Sequence, residues 1–202
     1  MRKFLVQMSG VPGAGKSTVA KLLAQYIDGI VIDHDLIRSF FLENNNDFGT
    51  AARLAYSFQW TLAGDMIRQG RSVIIDSTCN YQETLDQGTA LAQRHGYHYQ
   101  YVECRVTDIE LIERRLRGRI PQRSQRTGVY NPPPDSNSAD TSKPDVLSRF
   151  MQWIDNPVRP THDYIVVDST NSPEDCVGQI LLEMPLPCGV SAGHPFSTNP
   201  LL

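Results

Sequence analysis

Lys16, Ser17 and Thr18 close a nine-residue stretch, GVPGAGKST (10–18), that holds Gly10, Gly13 and Gly15. Gly10, Gly15, Lys16 and Ser17 satisfy the spacing G-x-x-x-x-G-K-[ST], the P-loop pattern. The composition answers a chemical demand. Backbone N–H groups cradle adjacent phosphates only where the chain curls tightly, and glycine allows that without a Cβ clash. A helix starting near Lys16 would turn its free N–H groups and positive dipole end toward the same charge. Lys16 is expected to reach the β- and γ-phosphates, Ser17 to ligate Mg²⁺, and Thr18 to touch the α-phosphate. Gly10, Gly13, Ala14, Gly15, Lys16, Ser17 and Thr18 are therefore the candidate nucleotide-binding residues.

A phosphate loop names a ligand and not a reaction. The segment VIDHDLIR (31–38) adds Asp33 and Asp35 at the end of an expected strand, with Arg38 one helical turn after Asp35. A carboxylate there can accept the proton of an attacking hydroxyl, so Asp35 is the candidate general base and Arg38 a candidate substrate contact. The competing reading is that Asp35 only caps the helix that follows. In SVIIDST (72–78) an apolar run leads into Asp76, which suits a Mg²⁺-directed acid. The stretch ERRLRGRIPQRSQR (113–126) carries six arginines and one glutamate. Arg115 and Arg119, four apart and expected on one helix face, together with Arg123 and Arg126, suit a lid over a transferring phosphoryl group. The bland alternative for this stretch is a solvated helix face.

These residues need elements to hold them. Apolar patterning predicts strands over 3–9, 29–33, 71–76, 97–106 and 163–168. It predicts helices over 16–27, 34–43, 50–69, 81–95, 107–119, 143–154 and 173–183, with Pro173 placed as at a first helical position. Strands alternating with helices imply an α/β fold: a parallel five-stranded sheet with helices on both faces. Residues 1–183 form the expected domain, with the lid over about 113–144. The prolines of GVYNPPPDSNSADTSKP (128–144) mark an irregular, mobile loop. Residues 184–202 lack charge and periodicity and are expected to be a disordered tail.

The formal net charge of −3 argues against a protein that coats nucleic acid. Outside 113–126 the chain keeps 13 basic and 21 acidic residues, a formal −8, so positive charge is concentrated in the candidate lid. Cys79, Cys104, Cys176 and Cys188 form no metal-ligand spacing and read as reduced thiols of a cytoplasmic protein. The apolar stretch at the N-terminus is too short for a signal peptide, and no run suits a membrane span.

GVPGAGKST, DLIR, VIIDST, RRLRGR and VVDSTNSPED follow in the order and spacing of small P-loop kinases. Over residues 1–183 the chain resembles the kinase domain of phage-type polynucleotide kinases and the bacterial group of AAA-like ATP-binding kinases. It is more distantly similar to zeta toxins and chloramphenicol phosphotransferases. The resemblance implies ATP and Mg²⁺ as cofactors and an alcohol as acceptor. It implies that Lys16 and Ser17 are the phosphate-loop pair, Asp35 the base, Arg38 a substrate-phosphate arginine and Arg119 a catalytic lid arginine. It also places 168–175 beside adenine. The chain departs from relatives that have Asn at the position of Cys79 and an arginine within the stretch YQETLD. The acceptor is expected to be a small molecule or a nucleic-acid 5′ end, the acidic body favouring the former, with no obligatory protein partner. The alternative is a nucleotide-dependent ATPase or switch acting on a protein; no NKxD guanine motif occurs.

Overall fold

The computed structural model describes residues 2–136 and 143–185. Five strands, β1 (Phe4–Ser9), β2 (Gly29–Asp33), β3 (Ser72–Asp76), β4 (His98–Arg105) and β5 (Tyr164–Asp168), form one sheet in the order β2-β3-β1-β4-β5. All pairings are parallel, including Leu5 with Val73 and Tyr99, and Asp33 with Asp76. Every strand therefore ends on the same edge, where ligands of open α/β sheets bind. The phosphate loop follows the central strand.

The helices are α1 (Lys16–Tyr26), α2 (His34–Glu43), α3 (Phe48–Arg68), α4 (Gln82–His95), α5 (Ile109–Gly118), α6 (Lys143–Asp155) and α7 (Pro173–Glu183). Alternation along β1 sorts the two cores. Phe4, Val6 and Met8 face α1, α5, α6 and α7 through Leu23, Ile112, Phe150 and Ile180. Leu5 faces α3 and α4 through Ala63, Ile67 and Ala92. The central strand is buried along its whole length, which fixes the start of the phosphate loop.

Helix starts follow local chemistry. Asp33 caps α2, Asp47 caps α3, Asp108 caps α5 and Ser172 caps α7, each accepting first-turn N–H bonds. α3 begins two residues before the expected boundary because the Asp47 cap admits Phe48 and Gly49. The segment after α6 is fastened to β4 by Arg159, whose Nε and Nη2 donate to Glu103 at 2.6 and 2.8 Å, and by Tyr101, whose hydroxyl donates to the Val158 carbonyl at 2.8 Å. Met184 is buried and completes the first core. The expected tail from 186 onward, and the loop residues 137–142, lie outside the described residues. No helix among the described residues is long and apolar enough to cross a membrane.

Candidate active site

The phosphate loop is built by three backbone conformations that disfavour side chains: Gly10 at φ 126°, Gly13 at φ 86° and Gly15 at φ 92°. Gly10 also lies against β4, where an added Cβ would stand 2.3 Å from the Cys104 carbonyl oxygen. Gly15 is the N-cap of α1 and supplies no side-chain cap, so no side chain competes with a ligand for the amides of Lys16 and Ser17, while the Thr18 N–H bonds the Gly15 carbonyl at 3.1 Å. Lys16 is buried, and its ammonium donates to the carbonyls of Gly10 (2.9 Å) and Val11 (3.1 Å). Burial lowers its pKa from the ordinary value, against the opposing charges of Asp76 and Asp35. Gly10, Gly13, Gly15, Lys16, Ser17 and Thr18 all line one cleft of about 1110 Å³. Ala14 differs. Its methyl packs in the core, and its N–H is committed to the Val11 carbonyl at 3.0 Å.

Asp76 ends β3, beside the central strand, and is buried. Burial raises its pKa, while Lys16 and the Ser17 hydroxyl oppose the shift. Its Oδ2 is buried without a partner. An orphaned carboxylate oxygen next to a serine hydroxyl fits one hard divalent cation, and Ser17 and Asp76 are the residues that would hold Mg²⁺. When bound, the ion would neutralise charge on the β- and γ-phosphates. Among the described residues no cluster of three or more His, Cys, Asp or Glu forms a cage.

Asp35 stands across the cleft. Asp33, not Asp35, is the α2 cap, its Oδ1 accepting from the N–H groups of Asp35 (2.9 Å) and Leu36 (3.1 Å). The Asp35 carboxylate is thereby released from helix duty and faces the lid and the cleft. Arg38 stacks its guanidinium 3.7 Å above the Phe48 ring, and its Nε is buried with no partner. Tyr56 and Tyr81 continue this wall, their rings 6.1 Å apart and edge to face. His34 is buried against Tyr56 and bonds Gln59 at 2.9 Å. Burial holds its imidazole below the ordinary pKa, so it is neutral at pH 7.

The four arginines of the expected lid separate into two groups. Arg115 lies beside Gly15 and donates to the Ser169 carbonyl at 2.7 Å. Arg119 lines the cleft in the field of Asp35 and Asp33, and donates to the Arg126 carbonyl at 2.9 Å. It does not share a helix face with Arg115, because α5 ends at Gly118 and Arg119 is extended, two residues before Pro121. Arg126 also lines the cleft, bonding the carbonyls of Gly128 and Val129. Arg123 does not join them. It pairs with Asp135 at 2.7 Å and donates to the Leu42 carbonyl at 2.9 Å, which makes it a strut between α2 and the proline-rich loop.

A family model described as an AAA domain matches residues 5–132. The chain belongs to that family. Among curated proteins none matches it in sequence. Among solved structures, a kinase candidate from Chloroflexus aurantiacus superposes with a TM-score of 0.67 at 17% identity, covering 91% of this chain and 100% of its own. The Mycobacterium tuberculosis APS kinase in complex with AMPPNP and APS gives 0.58 at 18% identity, covering 90% and 97%. A gluconokinase from Sinorhizobium meliloti gives 0.55 at 13%, covering 91% and 93%. The fold of this AAA domain is thus that of P-loop kinases.

Several cleft residues of the AAA domain carry no sequence signal of their own. Phe48, Tyr56 and Tyr81 come from two separate segments, α3 and the turn before α4. Gln122, Ser124 and Gln125 lie among the arginines of the lid. The polar, uncharged spacing in QRSQR (122–126) is the only local hint that this stretch contacts something besides phosphate.

Proposed function

We propose that this AAA domain is an ATP-dependent kinase that transfers the γ-phosphoryl group to a hydroxyl of a small acceptor. One observation carries the reading: the phosphate loop with Lys16, the buried acid Asp76 and the uncapped carboxylate of Asp35 line a single cleft under Arg119 and Arg126. A base for the nucleophile would serve water as well as an alcohol; the wall of Arg38, Phe48, Tyr56 and Tyr81 beside Asp35 favours a bound acceptor. In this scheme Lys16 and the α1 amides bind the triphosphate, Ser17 and Asp76 hold Mg²⁺, Asp35 takes the acceptor proton, and Arg119 stabilises charge on the moving phosphoryl group.

The acceptor chamber suggests its occupant. Arg38 offers a buried donor without a partner, and Phe48, Tyr56 and Tyr81 offer ring faces and edges. That chemistry suits a ring-bearing acceptor with an anionic substituent. The APS kinase complex holds AMPPNP and APS on the same fold, which supports a small-molecule acceptor. The test is labelled ATP offered in parallel to nucleoside monophosphates, sugars, aminoglycosides and 5′-hydroxyl oligonucleotides. Label is expected on a small ring-bearing anion. Label on none, with phosphate released only when a protein partner is added, would replace the kinase by the ATPase reading.

A further inference from the structure

The lid does not rest on the cleft through its arginines alone. Residues 122–125 dock on α2 through Arg123 at Leu42 and through the neutral side chains of Ser124 and Gln125, and the neutral contacts converge on Asp35. The Ser124 hydroxyl lies 2.9 Å from the Asp35 carbonyl and 3.3 Å from its Oδ1. Gln125 Nε2 donates to Asp35 Oδ2 at 2.9 Å. The Gln125 amide cannot be reversed, because its Oε1 accepts the Gln122 N–H at 3.2 Å. Behind them Ser39 accepts the Ser124 N–H at 3.0 Å and reaches the Ser124 hydroxyl at 3.1 Å. Ser39 and Ser124 are 5% and 4% exposed, so water does not replace these bonds. Gln122 adds a contact at 3.3 Å to Asp33, the cap of the same helix.

We propose that Gln125 and Ser124 are positioning residues for Asp35, so that closing the lid and aiming the carboxylate are one event. The proposal rests on the kinase reading of Asp35. A carboxylate presents about four lone-pair positions. Gln125 takes one on Oδ2 and leaves the others for an acceptor hydroxyl, while the single Ser124 proton goes to the nearer Asp35 carbonyl and holds the backbone of the same residue. Because the donors are neutral, they fix the torsion of the Asp35 side chain without adding to the positive charge that Arg119, Arg38 and Lys16 already set in its field. With the lid lifted, Asp35 loses both donors and its side chain turns freely, so the geometry needed for proton transfer is lost along with the cover.

The test exchanges the two partners. Gln125→Glu sets two carboxylates against each other. Hydrogen exchange at the amides of 122–126 should then quicken by about ten-fold or more, the scale of one lost charge-assisted bond. Adding Asp35→Asn to Gln125→Glu lets amide and carboxylate change places, and slow exchange should return. Phosphoryl transfer should stay absent in the double variant, which has no base. Gln125→Leu, with no charge added, should lower kcat by about ten-fold or more while the KM for ATP stays within about two-fold. Exchange that the double variant fails to restore, or a Gln125→Leu protein with full kcat, overturns the proposal. The exchange arm needs no activity. A wild-type protein that labels no acceptor therefore fails the kinase reading alone, and the docking is still judged by exchange.

Discussion

Gly10→Ala tests the phosphate loop through its support and not its charge. The new Cβ would stand 2.3 Å from the Cys104 carbonyl oxygen, about 1 Å inside ordinary contact, and β4 is held there by its pairing of Glu103 with Ser9. The backbone at φ 126° is a second obstacle. Strain of this kind costs about 1–3 kcal/mol, and overpacking a rigid site costs about 1–3 kcal/mol more. A total near 4 kcal/mol lowers Tm by roughly 10 °C for a domain of this size. Surviving folded protein must shift the loop, so ATP affinity should fall as well. Gly178→Ala is the control. Gly178 is exposed within α7, and its added methyl meets nothing within 4 Å. Alanine there should gain about 0.5–1 kcal/mol of helix stability. Thermal melting of the two variants without nucleotide, with ATP titration of each, completes the comparison. A Gly10→Ala protein that melts within about 2 °C of the parent and binds ATP normally would show that the loop does not depend on its seat against β4.

Asp35→Asn should cut acceptor phosphorylation by about two orders of magnitude or more with ATP affinity nearly unchanged, and full transfer by the folded variant would remove Asp35 as base. Asp76→Asn should raise the Mg²⁺ concentration needed for activity, as a Mg²⁺ titration at saturating ATP will read; an unaltered titration returns Asp76 to a structural part. Arg119→Ala should lower turnover by at least about ten-fold, whereas Arg123→Ala should act mainly on lid stability, since its guanidinium is engaged by Asp135 and Leu42; equal kinetic losses would contradict this division. Glu103→Gln halves the two-pronged pair with Arg159 and should lower Tm by about 4–8 °C, for roughly 2 kcal/mol, with turnover little changed.

What could be read from the sequence was what short chain segments decide. Glycine spacing, a strand before and a helix after fix the phosphate loop within nine residues, and apolar periodicity located every element of the sheet. The division of labour between Asp33 and Asp35 was not legible. Two aspartates flank His34, and which one caps depends on where β2 stops. The expectation for Arg123 met a different limit, because its direction is set by Asp135 in the proline-rich loop and by a carbonyl of α2. Docking of the lid was invisible for a related reason. Ser124 meets Ser39, and Gln125 meets Asp35, across 85 and 90 residues. No local pattern records a bond between side chains that far apart.

The central place of β1 has a consequence for how the protein is made. Its partners are β3 and β4, so the strand that carries the phosphate loop is the first to be synthesised and waits until residue 105 to be enclosed. At about 5–20 residues per second that wait lasts roughly 5 to 20 s. Until then the edge of β1 that pairs with β4 is open, although α1 and β3 are already made. The seat of Gly10 on Cys104 does not exist before β4 arrives. ATP therefore cannot rescue a half-made chain; it can stabilise the fold only once the sheet has closed around its first strand.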